Sequence, residues 1–180
     1  HKIYWEHECK RIVDDRGEIN SQLYKNFHNS WKDYMKKKVT DKESSSTILK
    51  KFTEYLETQE LFPALFFVFS RKQTEKLASM IQRSFLSGKE QTDCINLFDY
   101  YVKKYLGEMG MQLSQIWMIR KFLAKGVCVH HSGLIPILKE IIETIFDKGW
   151  IKLMFVTETF SVGINMPTKC VVFGELQKFD

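Results

Sequence analysis

Three short turns hold the residues of this chain best suited to chemistry. Ser70-Arg71-Lys72 sets a hydroxyl and two cations behind an apolar run. His131-Ser132-Gly133 joins an imidazole and a hydroxyl to a glycine, which lets a backbone or a phosphate approach closely. Thr157-Glu158-Thr159, completed by Gly163-Ile164-Asn165-Met166-Pro167, offers two hydroxyls, a flexible glycine and an amide. Hydroxyls, cations and the backbone N–H groups of a helix start are donors for phosphate oxygens or a ribose. Each stretch also has a plainer description. Ser70 reads equally as an N-cap with solvated basic neighbours, and Thr157 as an N-cap leading into an Asn-x-Pro turn.

Several chemistries are excluded. No acid stands beside the two histidines in sequence, so no catalytic triad is indicated and no catalytic residue is assigned. His130 closes an apolar run and reads as buried, leaving His131 as the surface candidate. There is no G-x-x-x-x-G-K-[ST] phosphate loop, no G-x-G-x-x-G turn, no G-x-S-x-G elbow and no H-E-x-x-H pair. Four cysteines, Cys9, Cys94, Cys128 and Cys170, lie scattered without a C-x-x-C pair. That spacing suits reduced thiols in an intracellular protein, and no metal site is indicated.

These turns need a sheet to hold them. Ala64 to Phe69 is a nearly continuous apolar run, the pattern of a strand covered on both faces in a parallel sheet. Val127 to His130, Ile151 to Val156 and Val171 to Phe173 read as further buried strands. Ser70 with Gln73 has the form of a capping box for a helix carrying Leu77, Met80, Ile81 and Phe85. Helices follow around Cys94–Tyr105 and Leu113–Leu123. From Leu134 to Asp147, Leu134, Leu138, Ile141 and Ile145 form one apolar stripe, with Lys139, Glu140, Glu143 and Asp147 facing out. An earlier helix places Ile48, Phe52, Tyr55 and Leu56 on one side. The order predicts an α/β fold with a mainly parallel sheet flanked by helices. The three turns then fall at its carboxyl edge, where such proteins place their ligands.

Toward the N-terminus, Asp14-Asp15-Arg16-Gly17 signals a turn in a short hairpin or strand pair, and Leu23, Phe27, Trp31 and Tyr34 recur at helical spacing. Residues 36–46, polar and lysine-rich, read as a mobile surface loop. The chain has 180 residues and a net charge of +5, with 27 basic against 22 acidic side chains. That excess suits phosphate-bearing partners without requiring them. Lysine dominates the basic residues, and lysine binds phosphate as a point charge rather than reading bases. No apolar run is long enough for a membrane helix, and no signal-peptide pattern opens the chain.

Taken together and in order, these runs resemble the second motor domain of DExH-box RNA helicases of superfamily 2, closest to the superkiller, exosome-cofactor branch. Pro63 to Lys72 looks like helicase motif IV. Gly126 to Phe146 is similar to the motif IVa region, and Phe155 to Phe173 looks like motif V. The resemblance implies that residues 1–180 form one RecA-like domain. It also implies that Ser70, Gly133 and Thr157 contact the backbone phosphates of single-stranded RNA, with Arg71, His131, Ser132 and Thr159 beside them. Gly163 and Asn165 would face ATP, held with Mg2+ mainly by a first RecA-like domain of the same parent chain. The arginine-finger motif and the first domain's motifs do not occur here, so the segment alone is expected to be inactive. The parent is expected to be an intracellular ATP-dependent helicase, cytoplasmic or nuclear, moving 3′-to-5′, with an RNA-decay or processing complex as a further partner and no membrane. The alternative is a degenerate module that binds RNA or protein without catalysis.

Overall fold

A computed structural model describes residues 2–5, 8–11, 20–26, 28–29, 44–157 and 167–174. The chain divides into two compact units, His1–Ser44 and Ser45–Asp180. In the first, β1 (Lys2–Trp5) and β2 (Glu8–Arg11) pair antiparallel, with Lys2 opposite Arg11 and Trp5 opposite Glu8. This pair joins segments two residues apart and is not the one expected around Asp14–Gly17. The Asp14–Gly17 turn lies outside the described residues. Residues 21–26 and 28–29 are helical; Phe27, Trp31 and Tyr34 also lie outside.

The second unit holds a four-stranded, all-parallel sheet in the order β4-β5-β3-β6. Its elements are α1 (Ser45–Thr58), β3 (Ala64–Phe67), α2 (Arg71–Met80), α3 (Gly88–Gly110), α4 (Ser114–Leu123), β4 (Val127–His130), α5 (Pro136–Asp147), β5 (Leu153–Val156) and β6 (Cys170–Phe173). Parallel neighbours need crossovers, and the helices supply them. This is a RecA-like α/β arrangement, as expected.

Burial explains the apolar runs. All four residues of β4 and all four of β5 are buried: β5 lies between β4 and β3, and β4, at an edge of the described sheet, is covered by α2, α4 and α5. α5 buries Leu138, Ile141, Ile142, Ile145 and Phe146 on one stripe. Each such side chain contributes about 1.5–3 kcal/mol by leaving water. Cys94 and Cys128 are buried thiols in this core, and burial pushes Cys94 up to about 12, so both behave as small apolar groups.

Five expectations need correcting. β6 leaves Val171 and Phe173 exposed because, unlike β4 at the other edge of the sheet, it has no described helix packed closely on it, so its apolar run does not mark a covered strand. Glu143 turns inward to His130 instead of facing out. Ile48 is exposed, while Leu49, Thr53 and Leu56 form the buried face of α1. Helix α1 begins at Ser45, inside the stretch expected to be loop; residues 36–43 of that stretch lie outside the described residues. Ser70 occupies the N-cap of α2 but makes no side-chain capping bond. The capping box is at Ser87 instead, whose hydroxyl accepts from the Glu90 N–H at 3.3 Å while the Glu90 carboxylate accepts from the Ser87 N–H at 2.8 Å. Its serine-x-x-glutamate spacing was readable and is the stronger of the two, since an ionised acceptor suits a helix start better than an amide.

Candidate nucleic-acid interface

The sheet register gathers three of the turns. Phe67, Val156 and His130, the last residues of β3, β5 and β4, stand side by side across the ladder. One residue on, the Val68 N–H donates to the Val156 carbonyl at 2.9 Å and the Thr157 N–H to the His130 carbonyl at 3.2 Å. Thr157, His131 and the approach to Ser70 therefore share the carboxyl edge. Thr159, Gly163 and Asn165 lie outside the described residues.

The two helix starts at this edge differ. Helix α2 opens with Ser70 extended (φ −127°, ψ 128°), its hydroxyl unspent on the helix. The first N–H groups of a helix have no intrahelical acceptor, so Arg71, Lys72 and Gln73 present donors beside two exposed cationic side chains. Helix α5 is closed by comparison. Pro136, its first residue, has no N–H. The Gly133 N–H donates to His131 Nδ1 at 3.1 Å, the Leu134 N–H to the His131 carbonyl at 3.1 Å, and the Ile135 N–H to Gln115 Oε1 at 3.2 Å. The donors expected to be open at this glycine turn are thus bonded, two within the turn and one to α4. Ser132 is its exposed residue.

His131 is not a surface residue. Only 2% of it is accessible, and its ring lies between Glu75 of α2 and the Gly133 turn that leads into α5. Its Nε2 lies 3.2 Å from Glu75 Oε1, outside hydrogen-bond geometry and an ion pair only when the ring is protonated. His130 Nε2 meets Glu143 Oε1 at 2.8 Å. Burial holds both imidazoles below their ordinary range, outweighing the opposing pull of each carboxylate. Gly133 packs close beneath: a Cβ there would stand 3.1 Å from His131 Nδ1 and 3.3 Å from Arg71 Cδ. Its lack of a side chain lets the Arg71 stem and the imidazole converge.

Three participants escaped the sequence reading. Glu143 lies on the helix after His130, Glu75 on α2 with two helices intervening in the chain before His131, and Gln115 carries no pattern of its own. Helical spacing gives the only signal, since Glu75 sits one turn beyond Arg71 and so returns to the same end of α2.

The edge therefore combines an exposed guanidinium, an ammonium, two exposed hydroxyls at Ser70 and Ser132, and a buried threonine. That set can hold anionic oxygens by charge and hydrogen bonding. It does not fit a Mg2+ site among the described residues: Glu75 and Glu143 are turned onto the histidines, and no group of three or more His, Cys, Asp or Glu side chains converges. No described helix is long and apolar enough to cross a membrane.

No family model matches the chain. Curated relatives do. The chain is 42% identical over 127 residues to the Saccharomyces cerevisiae protein named antiviral helicase SKI2, covering 70% of this chain and 10% of that protein. It is 41% identical over 118 residues to the Schizosaccharomyces pombe ATP-dependent RNA helicase mtr4, covering 66% and 11%. Against the Arabidopsis thaliana DExH-box ATP-dependent RNA helicase DExH11 it is 30% identical over 173 residues, 92% of this chain and 13% of that protein. The chain thus spans a small part of the length of the curated relatives it matches.

Proposed function

Because the chain belongs to the superkiller-type DExH-box RNA helicases of superfamily 2, we propose that it supplies the second motor domain of an ATP-dependent RNA helicase. One observation carries this reading. The α2 start, the Ser132-Gly133 turn and Thr157 converge on one sheet edge, with β5 between its two neighbours. In this reading a single RNA strand crosses that edge. Arg71 and Lys72 attract its backbone, Ser70 and the N–H groups of the α2 start bond phosphate oxygens, and Ser132 and Thr157 serve the neighbouring phosphates. Contacts of this kind do not read bases, so binding is sequence-tolerant and weakens as salt rises.

Gly163 and Asn165 take the nucleotide side of the domain, and ATP brings the energy of hydrolysis when bound, its Mg2+ held by residues outside this chain. Alternate closing and opening against a first motor domain steps the edge along the strand, in the 3′-to-5′ sense. The parent works on intracellular RNA, alongside a decay or processing complex.

The test is ATPase activity of the full-length protein with and without single-stranded RNA. Thr157→Ala should lower the RNA-stimulated rate while leaving the basal rate within about twofold, since one neutral hydrogen bond is worth about 1 kcal/mol. Equal loss in both rates would remove Thr157 from RNA contact. A degenerate binding module would instead bind RNA and show no stimulation at all.

A further inference from the structure

We propose that Gln115 is a positioning residue for the RNA edge, a strap that sets the Ser132-Gly133 turn against Arg71; this rests on the RNA-contact reading above. Its carboxamide brackets the turn from α4. Nε2 donates to the Gly133 carbonyl at 2.9 Å, and Oε1 accepts from the Ile135 N–H at 3.2 Å. A carbonyl only accepts and an N–H only donates, so one orientation of the amide satisfies both contacts. Gln115 stands in the first turn of α4, yet its side chain reaches across to a turn 18 and 20 residues further on instead of serving its own helix.

The two bonded groups flank the positions that matter. Gly133 is the residue over which the Arg71 stem and the His131 ring converge, with an added Cβ placed 3.3 Å from Arg71 Cδ and 3.1 Å from His131 Nδ1. Ile135 is the N-cap of α5. Holding both fixes the turn at its two ends and so fixes where exposed Ser132 stands relative to the exposed start of α2. Gln115 itself touches no phosphate in this arrangement. It acts through the turn. Strapping costs nothing at the moment of binding, because the bonds are already made in the free protein, which is how preorganisation raises affinity.

The experiment measures the affinity of the full-length protein for a fluorescent single-stranded oligouridylate, well below each variant's unfolding temperature, where lost stability alone leaves affinity unchanged. Gln115→Met keeps the length and removes both bonds; binding should weaken about fivefold to tenfold, the size of one to two neutral hydrogen bonds. Gln115→Glu adds a reversible readout. At about pH 7.5 its carboxylate faces the Gly133 carbonyl and cannot donate, so binding should weaken as in the methionine variant. At about pH 4.3, the ordinary glutamic acid value, half of the population carries the proton and with it the donor–acceptor pair of the amide. Affinity relative to wild type at the same pH should then recover to within about twofold. If Gln115→Met and Gln115→Glu bind as wild type at both pH values while Arg71→Ala still binds weakly, the strap is overturned and the RNA reading stands. If Arg71→Ala also binds as wild type, the RNA reading falls and the strap with it.

Discussion

His131 Nδ1 accepts the backbone N–H of Gly133 at 3.1 Å, and this single bond sets the tautomer of a buried imidazole. A backbone amide can only donate, so Nδ1 is bare and the proton sits on Nε2, facing Glu75 at 3.2 Å. The ring is thus tied to the turn before α5 by a hydrogen bond and faces Glu75 on α2. A second proton on the ring would set an Nδ1–H against the Gly133 N–H and undo the tie.

That arrangement gives stability a pH dependence of known sign. Burial lowers the pKa of both His130 and His131 in the folded state, so between the unfolded value of about 6.5 and the folded values the unfolded chain binds more protons. The stabilisation is fully present above about pH 6.5 and is lost as pH falls through the folded values. Denaturant midpoints taken across that range should fall on acidification. Replacing both histidines with glutamine should flatten the part of the curve just below pH 6.5. An unchanged slope in that double variant would assign the dependence to other groups.

Gly133→Ala tests the close packing over the ring. The new methyl would press on His131 and the Arg71 stem, at 3.1 Å and 3.3 Å from the nearest atom of each. Overpacking of this kind costs about 1–3 kcal/mol. Urea unfolding should show the loss, and RNA affinity should drop with it because Arg71 is displaced. Full stability in the alanine variant would mean that the neighbours yield freely.

Ser87 and Ser70 should behave oppositely. Ser87 completes a capping box, so Ser87→Ala should destabilise by about 1 kcal/mol. RNA binding should not change. Ser70 makes no capping bond, so Ser70→Ala should leave the unfolding midpoint nearly unmoved and weaken RNA binding. Thermal melts paired with affinity measurements separate the two, and an exchange of these outcomes would reverse the roles assigned here.

The apolar runs of β4, β5 and α5 made most of this fold legible, because period and run length report burial directly. The same rule misread β6: unlike β4 at the other edge, which helices cover, β6 has no described helix packed closely on it, and run length does not report which edge is covered. Among the site residues, the placement of Ser70, Arg71, Ser132, Gly133 and Thr157 at one sheet edge followed from strand–turn–helix order. What did not follow was contact across elements. His131 read as exposed because nothing in its own neighbourhood announces Glu75, and Gln115 is an ordinary polar residue until α4 is packed beside β4. Long-range pairing depends on three-dimensional packing that local spacing does not encode.

In the proposed function RNA crosses the carboxyl edge of the sheet. Photocrosslinking of the full-length protein to a thiouridine-substituted single-stranded RNA, with adducts mapped by mass spectrometry, tests it most directly. Adducts should fall on peptides carrying Ser70-Arg71, Ser132-Gly133 and Thr157, and high salt should abolish them. Adducts confined to the opposite edge, where Phe62, Lys148, Lys152 and Lys169 line a cleft, would contradict it.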